Sequence, residues 1–342
     1  MTARNGRGHE DAADILTVGS LSEEVSRSLE DSPDFPWKAA VCREVPPTLP
    51  GRDLIVICPG DAHELRVMAG TLSAGPGSSS GRLAAFAPFS VGSPVDGCPI
   101  CLRTGDTGVR ILSSLYGYRI SEGGSSPGFT GSLWMRAGAL LPFFVHNINN
   151  ILARIMGNAE LARMYSARPD AASEKLGSAL AGVEDLRKYV HRLAEISTAR
   201  ESPLPWNTEM IDELGLSGRM FCGRSVEYTL HDYDGPPAAL AVGASRVELT
   251  VGLASAAAAA GVNGCGEISL AVSLRDGWLE FHLTWRSGSG RTGLIEDGLL
   301  ASARLMAVCA SCCRDFDITM LMDEWNGDQG GVSLMVPLDT ER

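Results

Sequence analysis

One histidine, His146, lies in a long segment with helical periodicity, and an amide side chain, Asn150, follows it one helical turn later. Apolar residues recur around it at steps of three and four, which predicts one apolar stripe and leaves His146 on the polar side of the helix. An exposed imidazole that neither a metal nor a core satisfies is suited to accept a phosphoryl group. The residues around His146 therefore point to phosphoryl chemistry.

Two helices are expected to position this histidine. The break at residues 166–170, where Pro169 and polar neighbours end the first helix, separates them. The second helix carries its own apolar stripe, which consists of Leu176, Leu180, Val183, Leu186, Val190, Leu193 and Ile196. Residues 133–200 thus form an antiparallel hairpin, and since such a hairpin cannot bury both stripes, we expect a homodimer with a four-helix bundle.

The charge balance narrows the choice of partner. The chain has 342 residues, with 41 acidic and 29 basic side chains and a formal net charge of −12. Such a surface repels nucleic acid and anionic lipid, so we expect no nucleic-acid partner. No apolar run approaches the ~20 residues of a membrane span, and the N-terminus has no apolar signal core. These features predict a cytoplasmic protein without a membrane span.

The flanking segments differ in composition. Residues 1–35 are polar. Residues 36–132 are rich in Gly, Pro and Ser, with β-like runs at 54–58 and 109–116, a glycine-rich turn, and an exit into the long helix. This arrangement resembles the C-terminal half of a PAS domain and implies a small PAS-like α+β input domain. Residues 206–342 alternate strands and helices, which predicts an α/β sandwich. The fold class is therefore α+β and multidomain.

Nine cysteines include two pairs with CxxC spacing, Cys98 with Cys101 and Cys309 with Cys312. Two such pairs are one way to build a zinc site. These pairs lie about two hundred residues apart along the chain, and neither has a histidine at ligand spacing. We interpret them as buried reduced thiols and expect no metal site.

The residues around His146 resemble the H-box of sensor histidine kinases. The run His146-x-x-Asn149-Asn150-x-Leu152, with Gly-Asn-Ala-Glu-Leu at 157–161, carries this resemblance, and the second helix and the α/β domain follow in the family's order. The resemblance covers residues 133–338. It implies a dimerisation and phosphotransfer hairpin at 133–200, followed by an ATPase-type domain of the histidine kinase family at 206–342.

Four positions depart from that family's pattern. Where the family has an acidic residue after the histidine, which accepts the imidazole proton, this chain has Asn147. Leu253 and Ala257 replace the two asparagines of the N-box, one of which coordinates Mg²⁺. Arg286 replaces the aspartate that binds adenine, although Gly288 and Gly290 of the same motif remain. The resemblance is thus closest to dimeric histidine phosphotransferases or pseudo-histidine kinases, and no cofactor is expected.

Transfer of a phosphoryl group between receiver domains by way of His146 remains possible without ATP, because a receiver supplies its own Mg²⁺ and acidic residues. His146 is the expected phosphoacceptor, and Asn150 is expected to orient water or contact the receiver, so both transfer and phosphatase activity are predicted. Asn147, Asn149 and Arg154 are candidate contacts with the response-regulator receiver. Two alternatives stay open: an active sensor kinase that uses ATP and Mg²⁺ at a divergent site, and a non-catalytic scaffold that signals by binding.

Overall fold

The structure, a computed structural model, describes the larger part of the chain and its main helices and strands. The described residues are 15–31, 39–44, 54–74, 83–89, 91, 93–95, 98–103, 108, 110–111, 129–198, 205–206, 214, 218, 227–230, 240–241, 246–262, 265–275, 277–287, 296–315, 318–323 and 329–337. The chain divides into two compact units, one ending at Gly124 and also including Leu321–Asp323, the other formed by the remaining residues.

The N-terminal unit is built on a parallel sheet with the strand order β2-β1-β3-β4-β5. Its elements are β1 (Ile15–Val18), α1 (Ser22–Glu30), β2 (Ala39–Cys42), β3 (Leu54–Ile57), α2 (Ala62–Ala74), β4 (Leu83–Ala87) and β5 (Ile100–Arg103). All four strand pairings are parallel. Strands of this kind are covered on both faces, which explains why β3 and β4 are continuous apolar runs rather than alternating ones. The order is that of doubly wound flavodoxin-like sheets.

The PAS-like α+β prediction for this region is wrong. An α+β domain packs its helices against an antiparallel sheet, whereas this sheet is parallel and its strands alternate with helices. Of the strand expected at 109–116, Arg110 and Ile111 are helical, and the rest of that run lies outside the described residues. The first strand of this sheet along the chain, β1, lies within residues 1–35, which were expected to precede the domain. All four residues of β1 are buried, so this segment contributes to the core of the unit.

Two loops meet at the carboxyl ends of β1 and β3, where sheets of this order bind ligands. Here the Glu64 carboxylate fills that position: it accepts hydrogen bonds from the Ser20 amide, the Ser20 hydroxyl and the Gly60 amide, at 2.8, 2.7 and 2.6 Å. Burial acts to raise the pKa of Glu64, but these hydrogen bonds outweigh it and leave the pKa below its ordinary value. The chain's own carboxylate therefore joins the two loops.

The absence of a side chain at Gly19 lets the loop after β1 lie against the Cys58 backbone at the end of β3. Its φ is +127°, and a Cβ built there would lie 2.5 Å from the Cys58 carbonyl oxygen. We expect Gly19→Ala to destabilise the N-terminal unit by about 1–3 kcal/mol from backbone strain, and by more once the contact with Cys58 is included. Amide hydrogen exchange in β1 and β3, followed by mass spectrometry, measures this loss.

Gly70→Ala is the matched control. Gly70 lies within α2, and a Cβ there meets no atom within 4 Å. Alanine is favoured over glycine in a helix by about 1 kcal/mol, so this variant should protect the same amides as well as the parent protein or better. Equal exchange in the two variants would show that Gly19 plays no special part.

The second unit begins with the expected helical hairpin. Helix α3 spans Phe129–Met164 and α4 spans Pro169–Thr198. Pro169 begins the second helix rather than ending the first, which suits a residue with a fixed φ and no amide proton. The helices approach closely at Gly182, where a Cβ would lie 2.7 Å from Ile155 Cγ1. Within the described residues, no helix is long and apolar enough to span a bilayer.

An α/β layer completes the second unit, as the alternation of elements predicted. Its elements are β6 (Pro205–Trp206), β7 (Glu227–Leu230), β8 (Leu240–Ala241), α5 (Arg246–Val262), β9 (Cys265–Arg275), β10 (Trp278–Ser287), α6 (Glu296–Asp315), the first two residues of β11 (Thr319–Met322) and β12 (Gln329–Pro337). The order is β11-β12-β10-β9-β7, with β10 antiparallel to both neighbours and β7 parallel to β9. Strands β6 and β8 pair separately.

The CxxC cysteines are buried thiols that form no disulfide. Cys98, Cys101, Cys309 and Cys312 are each at most 1% exposed. A hydrogen-bonding contact with the Cys98 thiol, together with burial, raises the pKa of the Cys101 thiol. A protonated, buried thiol is a poor nucleophile and a poor metal ligand, so this pair behaves as core packing.

Candidate functional site

His146 lies on the solvent-exposed surface of α3. The Asn150 side chain, one turn along the same helix, places Nδ2 at 3.0 Å from His146 Nε2. The amide nitrogen donates, so Nε2 is the acceptor and the imidazole proton lies on Nδ1. As a hydrogen bond, this contact requires Nε2 to carry a lone pair directed at the Asn150 amide. The structure brings together the two residues that the sequence assigned to catalysis.

Asn147 points toward the second helix. Its Nδ2 donates to the Tyr189 hydroxyl at 3.1 Å, across the hairpin. The Tyr189 ring also packs on Phe144, with ring centroids 4.5 Å apart, and both aromatic side chains are buried. The residues one after and two before His146 are thus both fastened to one side chain of α4.

The other two predicted partner contacts differ from each other. Asn149 is exposed. Arg154 forms an ion pair with Asp185 on α4, and its own carbonyl oxygen accepts a hydrogen bond of 3.0 Å from the Asn158 amide. The Arg154 and Asp185 side chains keep about half of their surface in solvent, and an ion pair of this kind contributes about 0–1 kcal/mol. Arg154 therefore has an intramolecular partner within the hairpin.

Tyr189 and Asp185 are residues of this region that the sequence did not single out. The apolar stripe predicted for α4 consists of large side chains, whereas the face that packs on α3 includes small residues such as Gly182. Ala179, Gly182, Leu186 and Tyr189 follow at steps of three and four, a spacing that marks a second face of α4; Leu186, which the sequence placed in the apolar stripe, lies on this face.

The nucleotide-related positions lie on α5 and β10. Every residue from 249 to 260 is buried, including Leu253 and Ala257 at 1% and 0% exposure. Helix α5 packs against α6, β9, β10 and both helices of the hairpin. Apolar side chains inside such packing offer no oxygen to a hard cation such as Mg²⁺. Arg286 is exposed on β10, opposite Glu267 of β9, while Gly288 and Gly290 lie outside the described residues.

No family model matches the sequence, and no curated protein matches it. Among solved structures, a histidine kinase from Burkholderia phymatum STM815 is 15% identical with a TM-score of 0.31, over 55% of this chain and 98% of that one. A bacterial phosphotransferase is 11% identical with a TM-score of 0.35, over 59% of this chain and 96% of that one. The histidine kinase AdeS of Acinetobacter baumannii is 13% identical with a TM-score of 0.31, over 57% and 98%. Similarity at this level establishes neither a shared fold nor a shared function.

Proposed function

We propose that this chain exchanges a phosphoryl group between His146 and the aspartate of a response-regulator receiver, without productive use of ATP. The observation that carries the proposal is the exposed imidazole with the Asn150 amide 3.0 Å from its Nε2. An exposed ring with an unprotonated Nε2 is the form of histidine that attacks phosphorus.

Transfer of the phosphoryl group to His146 requires no protein base at position 147. The Nε2 lone pair attacks the phosphorus of the receiver's aspartyl phosphate once the Asn150 amide has turned away. The nitrogen–phosphorus bond forms as the bond from phosphorus to the carboxylate oxygen breaks, and the electron pair leaves on the carboxylate. The ring arrives with a proton on Nδ1, which it releases to water afterwards. An amide at position 147 is compatible with this sequence, because the leaving carboxylate needs no proton.

Hydrolysis is the second part of the proposed activity. In the family that the H-box resembles, the residue at the position of Asn150 orients water against the receiver's phosphoaspartate. The Asn150 side chain is half-buried and lies next to Nε2, so it would face any receiver aspartate that approaches the histidine. Phosphatase activity therefore uses the same surface as transfer.

The proposal excludes ATP as the usual phosphoryl donor. Leu253 and Ala257 are buried and apolar at the positions where the family holds Mg²⁺. Arg286 carries only hydrogen-bond donors at the position where the family accepts one from adenine. Two incubations test this part: one with γ-³²P-labelled ATP and Mg²⁺, and one with a ³²P-phosphorylated receiver and no nucleotide. Label from the receiver alone is expected, and label from ATP would support the kinase alternative.

We further propose that the working unit is a homodimer. Among the large apolar side chains that remain exposed on the hairpin, eight follow helical spacing: Leu141, Val145, Leu152 and Met156 on α3 with Leu176, Leu180, Val183 and Val190 on α4. Their spacing places them on one side of each helix, about 100° round from the face buried within the hairpin. Met156 and Leu180 are 70% and 68% exposed. A second copy of the hairpin would cover both stripes in a four-helix bundle.

A pair of substitutions on this stripe tests the dimer. We expect Leu180→Glu combined with Val183→Glu to weaken dimerisation at least a hundredfold, because burial of such side chains contributes about 1.5–3 kcal/mol each. Sedimentation velocity over a range of concentrations measures the change. Leu161→Glu is the control, since Leu161 is exposed on α3 but away from the stripe. A monomeric parent protein, or equal dissociation of the control, would contradict the proposed bundle.

A further inference from the structure

We infer that Tyr189 is a positioning residue for His146, acting through Asn147; this inference rests on the proposed phosphotransfer function. The Tyr189 hydroxyl accepts the hydrogen bond from Asn147 Nδ2 at 3.1 Å, and its ring packs on Phe144 at 4.5 Å between centroids. Those two residues bracket His146 on α3. One side chain of α4 thus grips the helical turn that carries the phosphoacceptor.

The contacts of Tyr189 with Asn147 and Phe144 fix the rotation of α3 about its axis. Phe144 and Asn147 lie on the side of the helix that faces α4, whereas His146 lies on the exposed side. A group about 6 Å from a helix axis moves by roughly 1 Å when the helix turns by about 10°. A misplacement of about 1 Å can slow a group transfer a hundredfold. The contacts of Tyr189 therefore bear directly on where Nε2 meets an incoming phosphorus.

Asn147, the residue after the histidine, has a different role from that of an acidic residue at the same position. Asn147 takes no proton, and the structure ties its amide to the neighbouring helix. Its contribution to the reaction is then geometric. Its removal should affect the maximum rate of transfer rather than the affinity for the receiver, because neither Asn147 nor Tyr189 is on the fully exposed surface.

The test uses the full chain and single-turnover transfer of ³²P from a phosphorylated receiver, measured by rapid quench over a range of receiver concentrations. Tyr189→Phe keeps the ring against Phe144 and removes only the hydroxyl. Asn147→Ala removes the other partner of the same hydrogen bond. Each is expected to lower the maximum rate five- to twentyfold with the half-saturating receiver concentration within twofold of the parent value. The double variant is expected to be no slower than the slower single variant, because both remove one interaction.

Tyr165→Phe is the matched control, since Tyr165 follows the C-terminal end of α3 and is half-buried like Asn147. It should transfer at the parent rate. Should Tyr189→Phe fail to fold, Asn147→Ala decides the matter alone. The inference is overturned if both single variants transfer at the parent rate, if their effects multiply, or if only the half-saturating concentration changes. A parent protein that takes no label from the receiver overturns the proposed function and this inference together.

Discussion

His146→Gln abolishes transfer from a phosphorylated receiver to this chain, with at least a thousandfold loss of label, if the imidazole is the acceptor. Glutamine keeps a polar side chain of similar reach on the exposed face of α3, but the lone pair of its amide nitrogen is delocalised into the carbonyl group and does not attack phosphorus. The loss should appear with the fold intact, because His146 is exposed and its hydrogen bond is to Asn150 on the same helix. Autoradiography after gel separation provides the measurement.

The control for this result is His191→Gln. His191 is exposed on α4 of the same hairpin, so the substitution makes the same chemical change on the neighbouring helix. It should leave transfer within twofold of the parent protein. If His146→Gln still acquires label, the phosphoryl group goes elsewhere and the site is misassigned. If the biological output of the pathway persists with His146→Gln, the scaffold alternative is favoured.

Asn150→Ala should separate hydrolysis from transfer. We expect release of phosphate from the phosphorylated receiver to fall at least tenfold, because the amide that would orient water is gone. Label should still reach His146 at the parent rate or faster, since removing Nδ2 frees the Nε2 lone pair that it contacts at 3.0 Å. A coupled assay for inorganic phosphate and a parallel count of protein-bound label report the two steps separately.

Asn158→Ala controls for the loss of an amide from α3. Asn158 lies two turns beyond Asn150 and donates to the Arg154 carbonyl oxygen at 3.0 Å, so its removal perturbs the helix without touching the imidazole. Both activities should be unchanged in this variant. Equal loss of transfer and hydrolysis in Asn150→Ala would mean that Asn150 only maintains the helix, and loss in neither would remove it from the site.

The hairpin and the contact between His146 and Asn150 could be predicted because their signals are local. His146 and Asn150 are one turn apart on a single helix, so periodicity alone places them together. The C-terminal α/β layer could be predicted as well, since β9, β10 and β12 are long strands and two helices lie between the strands of the layer. Leu253 and Ala257 lie on such a helix, and their chemistry is readable from residue type.

Contacts between helices and the pairing of short strands could not be predicted from local sequence patterns. The Asn147–Tyr189 hydrogen bond joins residues 42 positions apart, and nothing local marks it. Strands β1 and β3 have only four residues each and are continuous apolar or buried runs, so they carry no alternation to distinguish a parallel sheet from another fold. Pro169 was ambiguous for another reason: proline marks a helix boundary without indicating whether it is an end or a beginning.

The central claim is that His146 receives its phosphoryl group from another protein. The most direct measurement mixes the chain with a receiver that has been phosphorylated by a small acyl phosphate and freed of excess donor, with no nucleotide present. Tandem mass spectrometry then locates the phosphoryl group on the chain, and acid lability identifies it as bound to nitrogen. Our account predicts phosphohistidine at His146 under these conditions and none when Mg²⁺ and ATP are the only donor. Phosphohistidine formed from ATP, or no phosphohistidine at His146 from the receiver, would contradict it.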